Sequence, residues 1–282
     1  MDKATVIGAL RNDKRLQEQD RTDLIKWTHA AWRDHEAVDR MSRILANACL
    51  TDAKLHDVHV DSEWAVELPS EIAWWFWKIG DVCETGFVNR WFSSRNDPFP
   101  YAHLTQEGDV SMLDVGCGPR SMIGLSDERR RVSLTSVDPL ARAYNAIYKL
   151  YGVDAPELRF GVAEALTSLP NIKTYDIVWA KNCLDHAFDV PHAFREVCAV
   201  VAPGGSAILE HWRNEAEAQK YEGLHRWNID VEGSDVVIWN PSVRELFDYK
   251  AAGFDMTCQK SIQKKGTGRE HEWISITLTR KT

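Results

Sequence analysis

Residues 112–121 read MLDVGCGPRS, and this stretch decides the fold. A short apolar run carrying an acid at Asp114, followed by Gly116 and Gly118 two residues apart, is the pattern of a strand that turns tightly so that free backbone N–H groups face a ligand. A loop of the form G-x-G-x-x-G needs a third glycine at position 121, where this chain has Ser121 after Pro119 and Arg120. That departure speaks against NAD or FAD. No Gly-Lys-Ser/Thr follows, which excludes a P-loop. An acid two residues before the first glycine instead suits a cofactor carrying an amino-acid ammonium group.

Outward from this loop, short apolar runs alternate with helical stretches, the sequence form of a doubly wound, mostly parallel α/β sheet with helices on both faces. The expected strands are VSMLDVG (110–116), VSLTSVD (132–138), LRFGVA (158–163), YDIVWAKN (175–182) and GSAILEHW (205–212), with helices around 139–151 and 190–201. Pro203-Gly204-Gly205 reads as the turn into the fifth strand. Beyond it the sequence predicts an insertion at about 211–240, a helix starting near Pro241-Ser242, and two runs, FDMTCQKSI and EWISITLTR, able to pair as a hairpin.

The first 105 residues have another rhythm. Seven of the 12 tryptophans lie before residue 100, and Leu24, Trp27, Ala31, Val38, Met41, Leu45 and Ala48 recur at three- and four-residue intervals on one helical stripe. A second helix is expected to start at Pro69-Ser70, with Ser70 as N-cap. It carries Ile72, Trp75, Phe76, Ile79, Cys83, Phe87 and Trp91, and Pro98 and Pro100 stop it. The chain thus reads as a helical, Trp-rich lid or substrate region over 1–105 and an α/β domain over 106–282.

Composition narrows the partners. A formal net charge of -8 over 282 residues speaks against a phosphate backbone, whose binding is driven by Lys and Arg. No run approaches the roughly 20 apolar residues that span a bilayer, and MDKATVIGALRNDKR lacks a signal-peptide core, so a cytoplasmic protein without a membrane partner is expected. The six cysteines are scattered, with no C-x-x-C pair and no zinc-type Cys/His spacing. A homodimer is compatible with the apolar faces of the N-terminal helices.

The second expected strand ends in Asp138, 22 residues after Gly116, where a carboxylate can accept hydrogen bonds from two ribose hydroxyls. The third leads into Ala163-Glu164, a second acid placed for the base. With these residues in view, the sequence resembles the class I S-adenosylmethionine-dependent methyltransferases, in the broad group acting on small molecules and glycans. LDVGCGP, SVDPL, GVAEAL, YDIVWAKNCLDH and VVAPGGSAIL match in order over roughly residues 110–210. The resemblance implies a Rossmann-like, seven-stranded sheet closed by a final antiparallel strand, with S-adenosyl-L-methionine as cofactor. It places Gly116 and Gly118 against the methionine moiety and Asp114 near its ammonium. Asp138, with Pro139 after it, falls at the ribose, Glu164 at the adenine, and Asn182 beside Lys181 near the methionyl end. Arg120 stands where the family often has glycine, and either caps the loop or reaches toward substrate.

Methyl transfer from a sulfonium is an in-line displacement, so alignment supplies much of the acceleration, and a hydroxyl acceptor gains further from losing its proton to a base. Histidine suits that role near neutral pH. His186 follows the fourth strand directly, with Asp185 and Asp189 close enough in sequence to orient it; His211 follows the fifth strand. His225 in YEGLHRWN, Trp227 and Arg120 are candidates for substrate binding. Neither an Asn/Asp-Pro-Pro-Tyr/Phe run nor the acid and asparagine set of a magnesium-dependent catechol-type enzyme is present, and no metal is implied. Oxygen of a small molecule or glycan is the expected acceptor. Nitrogen, or a catalytically silent binding protein on the same fold, are the alternatives.

Overall fold

The architecture is that of a computed structural model, which describes residues 35–84, 99–101, 104, 106–125, 128–155, 157–264 and 270–282. Leu24, Trp27 and Ala31 of the first expected helix, and Phe87 and Trp91 of the second, lie outside the described residues. Strands β1 (Gly108–Val115), β2 (Arg130–Asp138), β3 (Arg159–Phe160), β4 (Tyr175–Lys181), β5 (Val201–Trp212), β9 (Phe254–Lys264) and β10 (Glu270–Arg280) form one seven-stranded sheet ordered β3-β2-β1-β4-β5-β10-β9. β1 to β5 are parallel, and β10 runs antiparallel to both β5 and β9. The fold class, the five parallel strands and the terminal hairpin stand as expected from sequence.

Helices cover both faces, so the central strands are largely apolar: Met112, Leu113, Val115, Ile177, Val178 and Ala180 are all buried. Val115 pairs with Val137 on one side and Ala180 on the other. The residues that follow, Gly116, Asp138 and Lys181, therefore emerge together at the carboxyl edge of the sheet, where ligands of such folds bind.

The N-terminal helices α1 (His35–Leu55) and α2 (Ser62–Glu84) pack on α3 (Ala141–Tyr151). Leu68, Ile72, Phe76 and Ile79 of α2 meet Tyr144, Ile147, Tyr148 and Tyr151 in one apolar cluster. Removing a ring as buried as Phe76 costs about 3–5 kcal/mol. The expected start of α2 at Pro69-Ser70 is corrected: Pro69 lies inside the helix, and the cap is Asp61, whose Oδ1 accepts from Trp64 N at 2.9 Å. Proline is a weaker start signal than an upstream acid that satisfies a free N–H.

Three further expectations change. β3 is only two residues long, because the chain curls at Ala163 into a 3-10 turn over Ala163–Ser168. Pro203-Gly204-Gly205 does not precede β5 but bulges within it: Tyr175 pairs with Val201 and Ile177 with Ser206, and Gly204 takes φ +73°. No helix begins at Pro241-Ser242. Asn240 Oδ1 accepts from Ser242 N and Val243 N, both at 2.9 Å, and this turn joins β7 (Asp235–Trp239) to β8 (Arg244–Phe247). With β6 (Asn228–Glu232) they make a separate three-stranded antiparallel sheet between β5 and β9.

Candidate active site

At the carboxyl edge, the loop after β1 closes on β2. Gly116 N and Cys117 N donate to Val137 O at 2.9 and 3.1 Å, and Gly118 N donates to Asp138 Oδ2 at 2.8 Å. Gly116 has φ +64°, and a Cβ there would stand 2.6 Å from Cys183 Cβ, so both conformation and packing demand glycine. The other oxygen of Asp138, Oδ1, accepts from Leu140 N at 2.8 Å. Burial pushes this carboxyl up to about 7 against the pull of those two N–H groups.

A cavity opens on this loop. Gly116, Asp138, Pro139, Leu140, Val162, Ala163 and Glu164 line it from the sheet side, and Trp64 and Glu71 from α2. Glu164 Oε1 accepts from Phe188 N at 2.7 Å and from Asp189 N at 3.2 Å, and burial raises this carboxyl also to about 7. These residues fit a nucleoside. Leu140, Val162 and Ala163 give the lining apolar surface, and each oxygen of Asp138 has used one lone pair on an N–H and keeps another for a hydroxyl.

His186 also lines this cavity, and it does not stand alone. Asp185 and His186 belong to a 3-10 turn after β4, Leu184–His186, and His225 precedes β6. Asp185 O accepts from Arg226 N at 3.0 Å and Trp227 N at 3.3 Å, which fastens the two segments together. Asp185 Oδ2 then lies 2.6 Å from His225 Nδ1 and 3.6 Å from His186 Nε2, and the two imidazoles meet at 3.0 Å with His186 Nε2 facing His225 Nδ1. Asp185 is buried, which disfavours its charge, yet the surrounding imidazoles of His186, His225 and His211 hold it down at about 2. For His225 burial opposes protonation and the Asp185 carboxylate outweighs it, so its pKa is raised.

The remaining expected residues divide. His211, on β5, is buried with neither ring nitrogen hydrogen-bonded among the described residues, and burial lowers it to about 4. Asp114 is buried in β1, and Arg120 lies beside Tyr148 on α3; neither belongs to the cavity lining. Asn182 takes φ +49° where the chain leaves β4, its N–H donating to Glu210 O at 2.7 Å. Trp227 is buried in the main core and borders a second cleft with Asp61, Glu63, Tyr221, Arg226 and Asn240. Asp189 does not orient His186. It caps α4 (Val190–Ala199), accepting from His192 N at 2.9 Å.

Sequence reasoning missed Trp64, Glu71 and Tyr144. Trp64 Nε1 donates to His186 O at 2.6 Å, and Glu71 Oε1 accepts from Trp75 Nε1 at 2.8 Å. The only signal was the helical stripe itself, which shows that a face is buried and not against what.

The open α/β sheet with its glycine turn and strand-end acids defines a Rossmann-like enzyme. A family model described as a methyltransferase domain matches residues 86–259, and the chain belongs to that family. It is an S-adenosylmethionine-dependent methyltransferase, as the motifs implied. Similar solved structures include an S-adenosylmethionine-dependent methyltransferase of Methanosarcina mazei, 19% identical, covering 66% of this chain and 99% of that chain with a TM-score of 0.39. Phosphoethanolamine N-methyltransferase 2 of Haemonchus contortus is 13% identical over 69% of this chain, with a TM-score of 0.43, and this chain spans about half (52%) of it. A chain of the Haloferax volcanii complex between the Trm112 activator and a methyltransferase is 15% identical, covering 76% of this chain and 97% of its own at a TM-score of 0.44.

Proposed function

We propose that the protein transfers the methyl group of S-adenosylmethionine to a hydroxyl of a small molecule or glycan. The observation that carries this reading is the Asp185-His225-His186 cluster, whose His186 lines the cavity, since an oxygen acceptor needs help in losing its proton and an amine that binds unprotonated does not. The cofactor, when bound, supplies an electrophilic methyl on sulfur. Asp138 accepts from the ribose, Glu164 and its neighbours border the base, and the turn at Gly116 and Gly118 receives the methionyl end with Asp114 and Asn182 nearby. The cluster meets the acceptor hydroxyl and assists the loss of its proton.

The cleft bordered by Tyr221, Arg226, Trp227 and Asn240 adjoins the segment that bears His225, and its mixture of aromatic and hydrogen-bonding groups suits a polar ring such as a sugar or phenol. Helices α1 and α2 act as the lid: Trp64 and Glu71 reach the cavity from α2. No helix among the described residues is long and apolar enough to cross a membrane.

The test is transfer of an isotopically labelled methyl group to a panel of sugars, phenols and amines, with the methylated atom identified by mass spectrometry. Products methylated on oxygen, lost in His186→Ala, are expected. Products methylated only on nitrogen, or full activity in His186→Ala, would contradict the reading.

A further inference from the structure

Two imidazoles and a carboxylate converge beside the cavity in an arrangement that hydrogen bonding satisfies only in part. His225 Nδ1, Asp185 Oδ2 and His186 Nε2 are separated by 2.6, 3.0 and 3.6 Å. If His225 Nδ1 carries the proton that Asp185 accepts, it has no lone pair left for His186. The 3.0 Å approach of His186 Nε2 to that nitrogen then meets no lone pair, and its 3.6 Å separation from Asp185 Oδ2 is too long for a hydrogen bond. Asp185 Oδ1, the other oxygen, has no hydrogen-bond partner among the described residues although the side chain is only 3% exposed. Neither is the arrangement loose: His186 N donates to Cys183 O at 3.1 Å, Trp64 Nε1 holds His186 O at 2.6 Å, and Asp185 O is tied to the chain after His225 by two N–H groups.

A cation answers all three atoms at once. For separations of 2.6, 3.0 and 3.6 Å a point exists about 2.1 Å from each atom, the length of a zinc bond to imidazole or carboxylate. Two imidazoles and one carboxylate, leaving further positions open, suit first-row divalent metals. The sequence hid this set because 39 residues separate His186 from His225, a spacing that matches no metal motif.

We infer that Asp185 Oδ2, His186 Nε2 and His225 Nδ1 form a site for a first-row divalent cation, and that the acceptor's oxygen binds at its open position. The second half of this inference rests on the proposed hydroxyl acceptor. A coordinated hydroxyl is made more acidic by the ion's charge, as a zinc-bound water falls from 15.7 to about 7. Its proton leaves to water, the oxygen forms a bond to the methyl carbon, and the carbon–sulfur bond breaks with its electron pair going to sulfur. In this arrangement the two imidazoles serve as ligands.

The experiment is titration of Co²⁺ into the full chain after treatment with chelator, read by visible d–d absorption and by metal analysis after dialysis. His186 and His225 are about a quarter exposed, so His186→Gln and His225→Gln are chosen over a change at buried Asp185, with circular dichroism to confirm folding. One Co²⁺ per chain is expected, bound at least about tenfold more weakly in each single variant and lost in the double variant. Absence of stoichiometric binding by the folded wild type would overturn the site, as would equal binding by the double variant, which would seat the ion elsewhere. Binding without transfer to any hydroxyl would support the site and overturn the acceptor reading. Transfer to a hydroxyl that is indifferent to chelation would overturn the role given to the ion.

Discussion

His225 Nδ1 lies 2.6 Å from Asp185 Oδ2, closer than the 3.6 Å between that oxygen and Nε2 of His186, the next residue in the chain. The carboxylate that neighbours His186 in sequence is thus bonded to a histidine 40 residues away. Both imidazoles are therefore expected to matter together. His225→Gln should lower methyl transfer by about 10²- to 10⁴-fold, as should His186→Gln, and the double variant should be little worse than either. Steady-state assays of the three variants check this; additive losses would separate the two residues.

Gly116→Ala tests the loop. It places a Cβ at φ +64° and 2.6 Å from Cys183 Cβ. A loss of about 2–4 kcal/mol in denaturant unfolding is expected from the left-handed backbone and the overlap together. Adding Cys183→Gly removes both overlapping atoms, Cβ and Sγ, and should recover part of the loss, leaving the backbone strain.

The pH dependence of stability follows from two buried groups of opposite sign. Burial raises Asp138 to about 7, whereas an unfolded aspartate titrates near 3.9. Between those values the native state holds a proton that the unfolded state has lost, so stability falls as pH rises from about 4 to 7. Thermal melts should show Asp138→Asn gaining on wild type as pH rises through this window. Burial lowers His211 to about 4, so there the unfolded state binds the extra proton and stability falls as pH drops from about 6.5 toward 4. His211→Phe should resist acid better than wild type.

Trp64→Phe keeps an apolar ring but loses the 2.6 Å bond to His186 O. Stability should fall by about 1 kcal/mol, and kcat should fall by more than the KM for cofactor rises, because the turn that carries Asp185 and His186 loses its tether to α2. An unchanged kcat would mean that α2 does not position the turn.

Much of the sheet was legible because its causes are local. The apolar runs of β1, β4 and β5 and the glycine turn at Gly116 each announce themselves within a few residues, and Asp138 is fixed by the end of β2. Pro69 has the sequence form of a helix boundary although the cap of α2 lies at Asp61, and Pro241-Ser242 has the form of a helix start although Asn240 closes a hairpin turn there. The cluster of Asp185, His186 and His225 was half legible: the first two follow β4 directly, but the partner arrives through the chain leading to β6, and no local pattern reports which histidine will return to that edge. Trp64 and Glu71 were invisible for the same reason, since they reach the cavity only through the packing of α2 on α3.

The most direct measurement is calorimetric titration of S-adenosylhomocysteine into the wild type and Asp138→Ala. Binding by the wild type is predicted, weakened at least about tenfold in the variant as hydrogen bonds to a buried carboxylate are lost, with proton release near pH 6 because ribose hydroxyls favour the charged carboxylate. A folded wild type that binds no S-adenosylhomocysteine, or a variant that binds it equally well, would contradict the placement of the cofactor in this cavity.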